Sequence, residues 1–400
     1  MVNIEEARQI ILRHIAPLPA EELPLLRGLG RVAGEDVYAA GDIPATDKSA
    51  MDGYAFSSAK VRDNTLLVSG NIPAGKERTT PVADGEAVRI MTGAPIPRGC
   101  DTVVPIENVE IIGDTIRLTG EVRPGSHIRR RGEDIRAGQR AIAANSRIRP
   151  QDVGMLASLG KSSVRVYRRP KVGVLATGDE LLGIGSPPAS GKIIDSNSYG
   201  IAAQVMESGG DPVMLGIAAD EMERTCGRIR AGIREDLLIT TGGVSVGDRD
   251  CVKEAIVALG GEIMFWKVNM KPGKPVAFAI LEGRPVFALP GNPVAAMISF
   301  EMFVRPALLK MTGHTRIFRP TVTAALTEPI ANKGDRPHLV RVRVEARQDG
   351  YAATATGNQS SARLSSLTAA NGFFTASPGI SLASGERVAV SLLDRTEDLP

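Results

Sequence analysis

Between residues 170 and 317 the chain repeats one rhythm: a short apolar run, a turn, then an amphipathic stretch. "KVGVLATGDEL" reads as a strand and its turn, and "SNSYGIAAQVMESGG" as a helix ended by glycines. "DPVMLGIAAD" is a strand, "EMERTCGRIRAGIRE" a helix, "DLLITTGG" a strand and "DCVKEAIVALGG" a helix. Two further apolar strands follow near 276–281 and 285–289. "NPVAAMISFEMFVRPALLK" then reads as one long helix, with Pro293 suited to its first turn. Alternating strands and helices predict a mostly parallel sheet covered on both faces, a three-layer α/β/α domain. In such sheets ligands sit beyond the carboxyl ends of the strands.

Those strand ends carry acids. Asp179 and Glu180 follow the first strand, Asp220 the second, and Asp248 and Asp250 the third. A parallel sheet brings them to one rim, where a close pair repels by about 4 kcal/mol at an effective dielectric of about 20. Magnesium would relieve this, because it accepts carboxylates in part and keeps positions for phosphate oxygens. The plainer alternative is separate helix caps, each contributing about 1 kcal/mol. After Thr241, Gly242 and Gly243 allow close backbone approach and positive φ. Ser245 and the free N–H groups there can donate to an oxyanion. A simple strand-to-helix turn, with Asp250 as cap, is the competing reading. "WKVNMKPGKPVAF" presents Lys267, Lys271 and Lys274 on a loop fixed by proline and glycine. "LPGNP" places Pro290 and Pro293 in a rigid turn before the last helix. Singly these are solvated lysines and a helix start; together they suit a phosphorylated or anionic ligand.

The flanking regions have other textures. The N-terminal stretch is helical, with Asn3 and Glu6 placed for a capping box and Ile4, Ala7, Ile11 and Ile15 on one face. Residues 46–139 are rich in Gly and Pro, and "VEIIGDTIRLTG" reads as two strands around Gly113-Asp114. "RPQDVGMLASLG" (149–160) is a helix stopped by Gly160, and it is expected to return against the N-terminal helix. The expected domains are therefore a discontinuous helical one (1–45 and 140–169), a β-rich insertion (46–139), the α/β domain (170–317) and a C-terminal β-barrel-like domain (318–400). In the last, "LVRVRVEARQDGYAATAT" is a hairpin turning at Asp349-Gly350.

Bulk properties narrow the function. Lys and Arg number 48 and Asp and Glu 45, a net +3, with no long basic run; one Trp and five Tyr offer little base stacking. Nucleic acid is not the expected partner. No run of about 18 apolar residues predicts a membrane span. Cys100, Cys226 and Cys251 form neither a CxxC pair nor a disulfide framework, and His14, His127, His314 and His338 are scattered, so a reducing cytoplasm is expected and a zinc site is not. "GNIPAGKE" has Walker-A glycine spacing, but Glu77 stands where Ser or Thr should bind magnesium and no helix can start after it.

Three more stretches look costly for surface loops: "DKSAMDGYA" with Asp47, Ser49 and Asp52, "RIMTGAPIPRGCDTVV" with Thr92, and "RRRGEDI" with Glu133 and Asp134. With "TGDEL", "TTGGVSVGDRD", "KPGKP" and "LPGNPVAAMISF", their order and spacing resemble the molybdopterin molybdenumtransferase family, which includes the C-terminal region of gephyrin. The likeness spans essentially the whole chain; Lys48 stands where an Asn is common in the first motif. The resemblance implies a magnesium-assisted transferase of molybdenum cofactor biosynthesis. It would insert molybdenum from molybdate into adenylylated molybdopterin and release AMP. It also implies a homodimer whose site joins the α/β domain of one subunit to the insertion of the other. By motif, Glu180, Asp220 and Asp250 match acidic positions of the adenylyl-pterin and metal site, and Asp52, Thr92 and Asp134 match positions reaching in from the insertion. Lys267, Lys271 and Lys274 match the basic loop, and Pro290 and Pro293 the turn beside molybdate. A molybdopterin adenylyltransferase is the candidate protein partner. The rivals are an adenylyltransferase or nucleotide pyrophosphatase on the same α/β domain, and a non-catalytic scaffold. Molybdate and tungstate are too alike in size and charge for the sequence to separate.

Overall fold

The structure is a computed structural model and describes residues 1–243 and 251–394. The chain divides into two compact units. The larger comprises Met1–Glu22, Asn145–Arg147 and Arg165–Pro400; the smaller comprises Leu23–Ala144 and Ile148–Val164.

Helix α1 (Ile4–His14) carries the expected capping box: the Glu6 N–H donates to Asn3 Oδ1 at 2.8 Å, and the Asn3 N–H to Glu6 Oε2 at 2.9 Å. The expectation that the 149–160 helix would cover this apolar face is not met by its buried Ala7 and Ile11, with Ile15 beyond its end. They join the core of the larger unit with Phe300, Phe303, Leu308 and Met311.

In the smaller unit, β1 (Gly53–Phe56), β2 (Thr65–Ile72), β3 (Glu86–Ile90), β4 (Thr102–Pro105), β5 (Val109–Ile112) and β6 (Thr115–Leu118) form a six-stranded sheet in the order β4-β1-β3-β2-β6-β5. Ile112 pairs with Thr115, so the β5–β6 hairpin turns at Gly113 and Asp114 as expected. Tyr38 pairs with Arg140 and Val37 with Ile142, so the chain enters and leaves the 46–139 segment side by side. Helix α2 (Pro150–Ser158) follows, with Gly160 beyond its end at a φ of 74°.

The larger unit is built on β7 (Lys171–Thr177), α3 (Asn197–Glu207), β8 (Asp211–Ala218), α4 (Met222–Gly232), β9 (Leu237–Thr241), α5 (Cys251–Ala258), β10 (Glu262–Phe265), β11 (Ala277–Leu281) and β12 (Arg284–Leu289). The sheet order is β8-β7-β9-β12-β11-β10. β8, β7, β9 and β12 are parallel; β11 runs against both its neighbours. The sheet is thus mixed by one reversed strand, because the tight turn at Glu282-Gly283 joins β11 and β12 as a hairpin. β10 escaped the sequence reading: "EIMF" is short and only Phe265 in it is buried. Alternate strand residues serve opposite faces. Val172, Val174, Leu237, Ile239 and Phe287 pack with α3, and Leu175, Leu238, Val286 and Ala288 with α4 and α5. This is the expected three-layer arrangement.

The long helix after β12 is not uniform. It runs as α6 (Pro293–Ser299), a π-helical turn (Phe300–Val304) and α7 (Arg305–Met311). Pro306 has no N–H to offer Met302, four residues back. The Met302 carbonyl accepts instead from Arg8 Nε of α1 at 3.3 Å. Beyond it, β13 (Thr321–Leu326), β14 (His338–Arg347), β15 (Gly350–Ala355), β16 (Gly372–Ala376) and β17 (Arg387–Leu392) close a barrel in the order β13-β15-β14-β16-β17. Arg347 pairs with Gly350, so the hairpin turns at Gln348-Asp349, one residue earlier than expected. No helix of the described residues is long and apolar enough to cross a membrane.

Candidate functional site

Strand order reverses between β7 and β9, since the chain goes from β7 outward to β8 and then back across. Crossover connections therefore part at the carboxyl ends of β7 and β9, and a crevice is left there. The crevice is a cleft of about 820 Å³ in the larger unit, lined by Thr177, Glu180, Gly242, Gly243 and Asn292 among others. A second lobe of about 570 Å³ is lined by Lys271, Gln359, Ser360 and Ser361. Lys274, Pro275, Pro290, Asn292 and Arg336 line both lobes, so the two are one continuous cleft.

The glycine turn is required sterically. Gly242 has φ 87° and Gly243 φ 64°. A Cβ on Gly242 would lie 2.2 Å from the Thr177 carbonyl oxygen, and one on Gly243 2.6 Å from Thr177 Oγ1. Only hydrogen at these positions lets the β9 turn lie against the end of β7. Asn197, at the start of α3, ties the rim together: its Nδ2 donates to Thr241 Oγ1 at 2.9 Å and to the Gly291 carbonyl at 2.8 Å. Thr241 Oγ1 in turn donates to the Pro290 carbonyl at 3.1 Å.

The acidic side of the cleft is electrostatically tense. The Asp220 N–H donates to Asp179 Oδ1 at 3.1 Å. Burial first, then the charges of Asp179 and Glu180, push the Asp220 carboxyl above its ordinary range. Opposed carboxylates of this kind fit a divalent cation. Among the described residues no group of three or more His, Cys, Asp or Glu is arranged to hold a metal alone. A cation here would be completed by ligand oxygens, the usual habit of magnesium.

The basic side is assembled from separate segments. The Lys271 N–H donates to the Pro337 carbonyl, and the Leu339 N–H to the Lys271 carbonyl, each at 2.8 Å. The lysine loop is thereby stitched to the first long strand of the barrel, next to Arg336. The Val294 N–H donates to the Ser361 carbonyl at 3.1 Å, and Asn292 Nδ2 to Ser361 Oγ at 3.1 Å.

Of the residues singled out in the sequence, Glu180, Gly242, Gly243, Lys271, Lys274, Pro290 and Pro293 line the cleft. Asp220 stands behind them, within reach of Glu180's charge. Lys267 lines neither lobe; its carbonyl accepts from the Val2 N–H at 3.0 Å. Ser245, Asp248 and Asp250 lie outside the described residues. Asp52, Thr92 and Asp134 belong to the smaller unit. There Asp52 Oδ1 accepts from both the Thr92 N–H and Thr92 Oγ1 at 2.7 Å, which holds its carboxyl below the ordinary range. Asp134 is exposed, while its neighbours in "RRRGEDI" pair off as Arg129 with Glu133, Arg130 with Asp47 and Arg131 with Asp42. Sequence reasoning missed Thr177, Asn197, Asn292 and Arg336. Asn197 and Thr177 sat at recognisable element ends; Arg336 lies in a barrel loop with no local signal.

Residues 2–160 match the family described as MoeA N-terminal region (domain I and II), residues 173–310 the probable molybdopterin binding domain, and residues 323–393 the MoeA C-terminal region (domain IV). The chain is 38% identical over 330 residues to a molybdopterin molybdenumtransferase of Haemophilus influenzae, covering 82% of this chain and 81% of that one. It is 33% identical over 412 residues to one of Bacillus subtilis, covering 99% and 95%. Its fold matches the crystal structure of a molybdopterin biosynthesis MoeA protein of Pyrococcus horikosii with a TM-score of 0.88 and 29% identity, over 99% of this chain and 100% of that one. The chain thus belongs to the molybdopterin molybdenumtransferase (MoeA) family, transferases of molybdenum cofactor biosynthesis.

Proposed function

We propose that the cleft transfers molybdenum from molybdate to adenylylated molybdopterin, with hydrolytic release of AMP. The observation that carries this reading is the continuity of two chemically opposite lobes across Lys274, Asn292 and Arg336. A nucleotide-linked pterin needs a glycine turn for close approach and acids that a cation can bridge; the first lobe has the turn and Glu180, with Asp220 behind them within reach of Glu180's charge. A compact dianion needs preformed cations and donors that replace its water, and Lys271, Lys274, Arg336 and the Ser360–Ser361 segment supply them in the second.

Glu180, Asp220 and Asp250 would hold magnesium, whose chemistry here is to screen the phosphoanhydride. Among the described acids of this rim Asp220 is the one whose hold on a proton is strengthened, by burial first and then by its acidic neighbours. Oxide leaving molybdate as water requires such protons. Ser245 and the amides of the glycine turn donate to the phosphate. We assign Asp52, Thr92 and Asp134 to the same reaction, contributed by the second subunit of a homodimer. Lys267 takes a supporting place in the basic loop. The compartment is the cytoplasm, and an adenylyltransferase would hand over the pterin.

The test is incubation of the pure protein with adenylylated molybdopterin, molybdate and magnesium. AMP release coupled one-to-one to metal insertion is expected. AMP release that is indifferent to molybdate would overturn the reading in favour of a pyrophosphatase.

A further inference from the structure

Arg341 on β14 is 0% exposed, the largest fully buried side chain of the described residues. Its Nε–H donates to Ser366 Oγ at 3.0 Å and its Nη2–H to the Ser360 carbonyl at 3.3 Å, while Nη1 is buried without a partner. No carboxylate pairs with it among the described residues. Its backbone holds the same segment: the Arg341 N–H donates to Gln359 Oε1 at 2.9 Å, and Gln359 Nε2 donates back to the Arg341 carbonyl at 3.1 Å. Gln359 and Ser360 line the basic lobe. A guanidinium taken out of water without a counter-charge is strongly disfavoured, so its burial needs a compensating anion or a function.

We propose that Arg341 is a positioning residue for the oxyanion: a buried cation beneath the basic lobe that fixes the Gln359–Ser360 segment and adds unscreened positive charge, so that the bound dianion is its counter-charge. This rests on the oxyanion reading of that lobe. The neighbourhood agrees. Burial first, then the charges of Lys271 and Arg341, push the His338 imidazole down to about 4, so both cations act on the same buried spot. His338 Nε2 is likewise buried without a partner among the described residues.

The experiment is calorimetric titration of the full chain with inorganic molybdate at fixed ionic strength, beside steady-state kinetics. Arg341→Met keeps the length and apolar stem and removes the charge. It is expected to weaken molybdate binding at least tenfold and to raise KM for molybdate by a similar factor, with KM for the adenylylated pterin unchanged. Arg341→Lys restores the charge without the fork and is expected to recover most of the affinity. Should Arg341→Met fold poorly, the double variant with Ser366→Ala also removes the hydroxyl that has lost its donor and keeps only its bond to the Arg363 carbonyl. Equal molybdate affinity in wild type and Arg341→Met would overturn the proposal while leaving the oxyanion lobe intact. So would parallel losses for both substrates, or failure of both neutral variants to fold, since each marks a purely architectural arginine. A wild-type chain that binds no molybdate would overturn the oxyanion lobe itself.

Discussion

The turn after β9 offers a prediction whose two components can be separated. At Gly242 an alanine meets two penalties. Its φ of 87° is left-handed, which costs an L-residue roughly 1–2 kcal/mol. Its Cβ would also lie 2.2 Å from the Thr177 carbonyl oxygen, where ordinary contact begins at 3.4 Å. The obstacle is backbone at the end of a buried central strand and cannot rotate away. The turn must retreat by about 1 Å, at a packing cost of roughly 1–3 kcal/mol. Gly242→Ala should therefore lose about 2–5 kcal/mol in denaturant unfolding. Its kcat/KM should fall by about 100-fold, the scale of a 1 Å misplacement at a reacting centre. Gly260→Ala is the control: its φ is 84°, but nothing lies within 4 Å of the added methyl. It should lose only the conformational part, about 1–2 kcal/mol, and keep its activity. If the two variants lose equal stability, or if Gly242→Ala turns over normally, the turn is not held against β7 as described.

Three further outcomes follow from named contacts. Asp236, 7% exposed at the opposite ends of the strands, takes both Arg168 Nη atoms at 2.6 Å and the Lys171 N–H at 2.9 Å; Asp236→Ala should cost about 3–5 kcal/mol in unfolding experiments. Burial raises the Asp236 carboxyl, but Arg168 and the Lys171 amide outweigh it and hold it below its ordinary value, so this stabilisation is present above the unfolded carboxyl range and is lost as pH falls through the folded value. Asp220 has the opposite sign: with its folded value raised, its contribution to stability declines as pH climbs through the carboxyl range. Asp220→Asn should melt a little higher at neutral pH, by a few tenths of a kcal/mol given its exposure, and the same at low pH, while AMP release collapses. Arg8→Met strips the Met302 carbonyl of its donor and should cost about 1–2 kcal/mol, which adding Pro306→Ala should partly return; strictly additive melting shifts would refute the compensation across the π-turn.

What was legible in the sequence was what local pattern encodes. Apolar runs such as "DLLITT" must be buried on both faces, so the three-layer domain and the strand-end acids could be read directly. The reversed β11 could not, because an antiparallel hairpin strand buried on both faces has the same apolar texture as its parallel neighbours. The placing of α1 also escaped: the face formed by Ala7 and Ile11 is plain in the sequence, but an apolar face does not name its partner. Within the cleft, Glu180, the two glycines and the proline turn sit at strand ends, where topology alone puts them. Lys267 looks equivalent to Lys271 and Lys274 in sequence, yet only the latter two line the cleft.

Arg336 explains the rest of the gap. It is 62 residues beyond Lys274 in the chain (336 less 274), and no spacing rule joins them. They meet because backbone hydrogen bonds at Lys271, Pro337 and Leu339 run the lysine loop as an extra rung beside β14. The barrel is thereby more than an appendage: it supplies Arg336, Ser360 and Ser361 to a cleft whose other wall is the end of β12. An α/β domain of this kind without the barrel would keep the acidic lobe and the glycine turn but would lose most of the basic lobe. It could still hold a nucleotide-linked anion. It could not present a second, basic lobe continuous with the first, because the residues that join the lysine loop to that lobe come from the barrel.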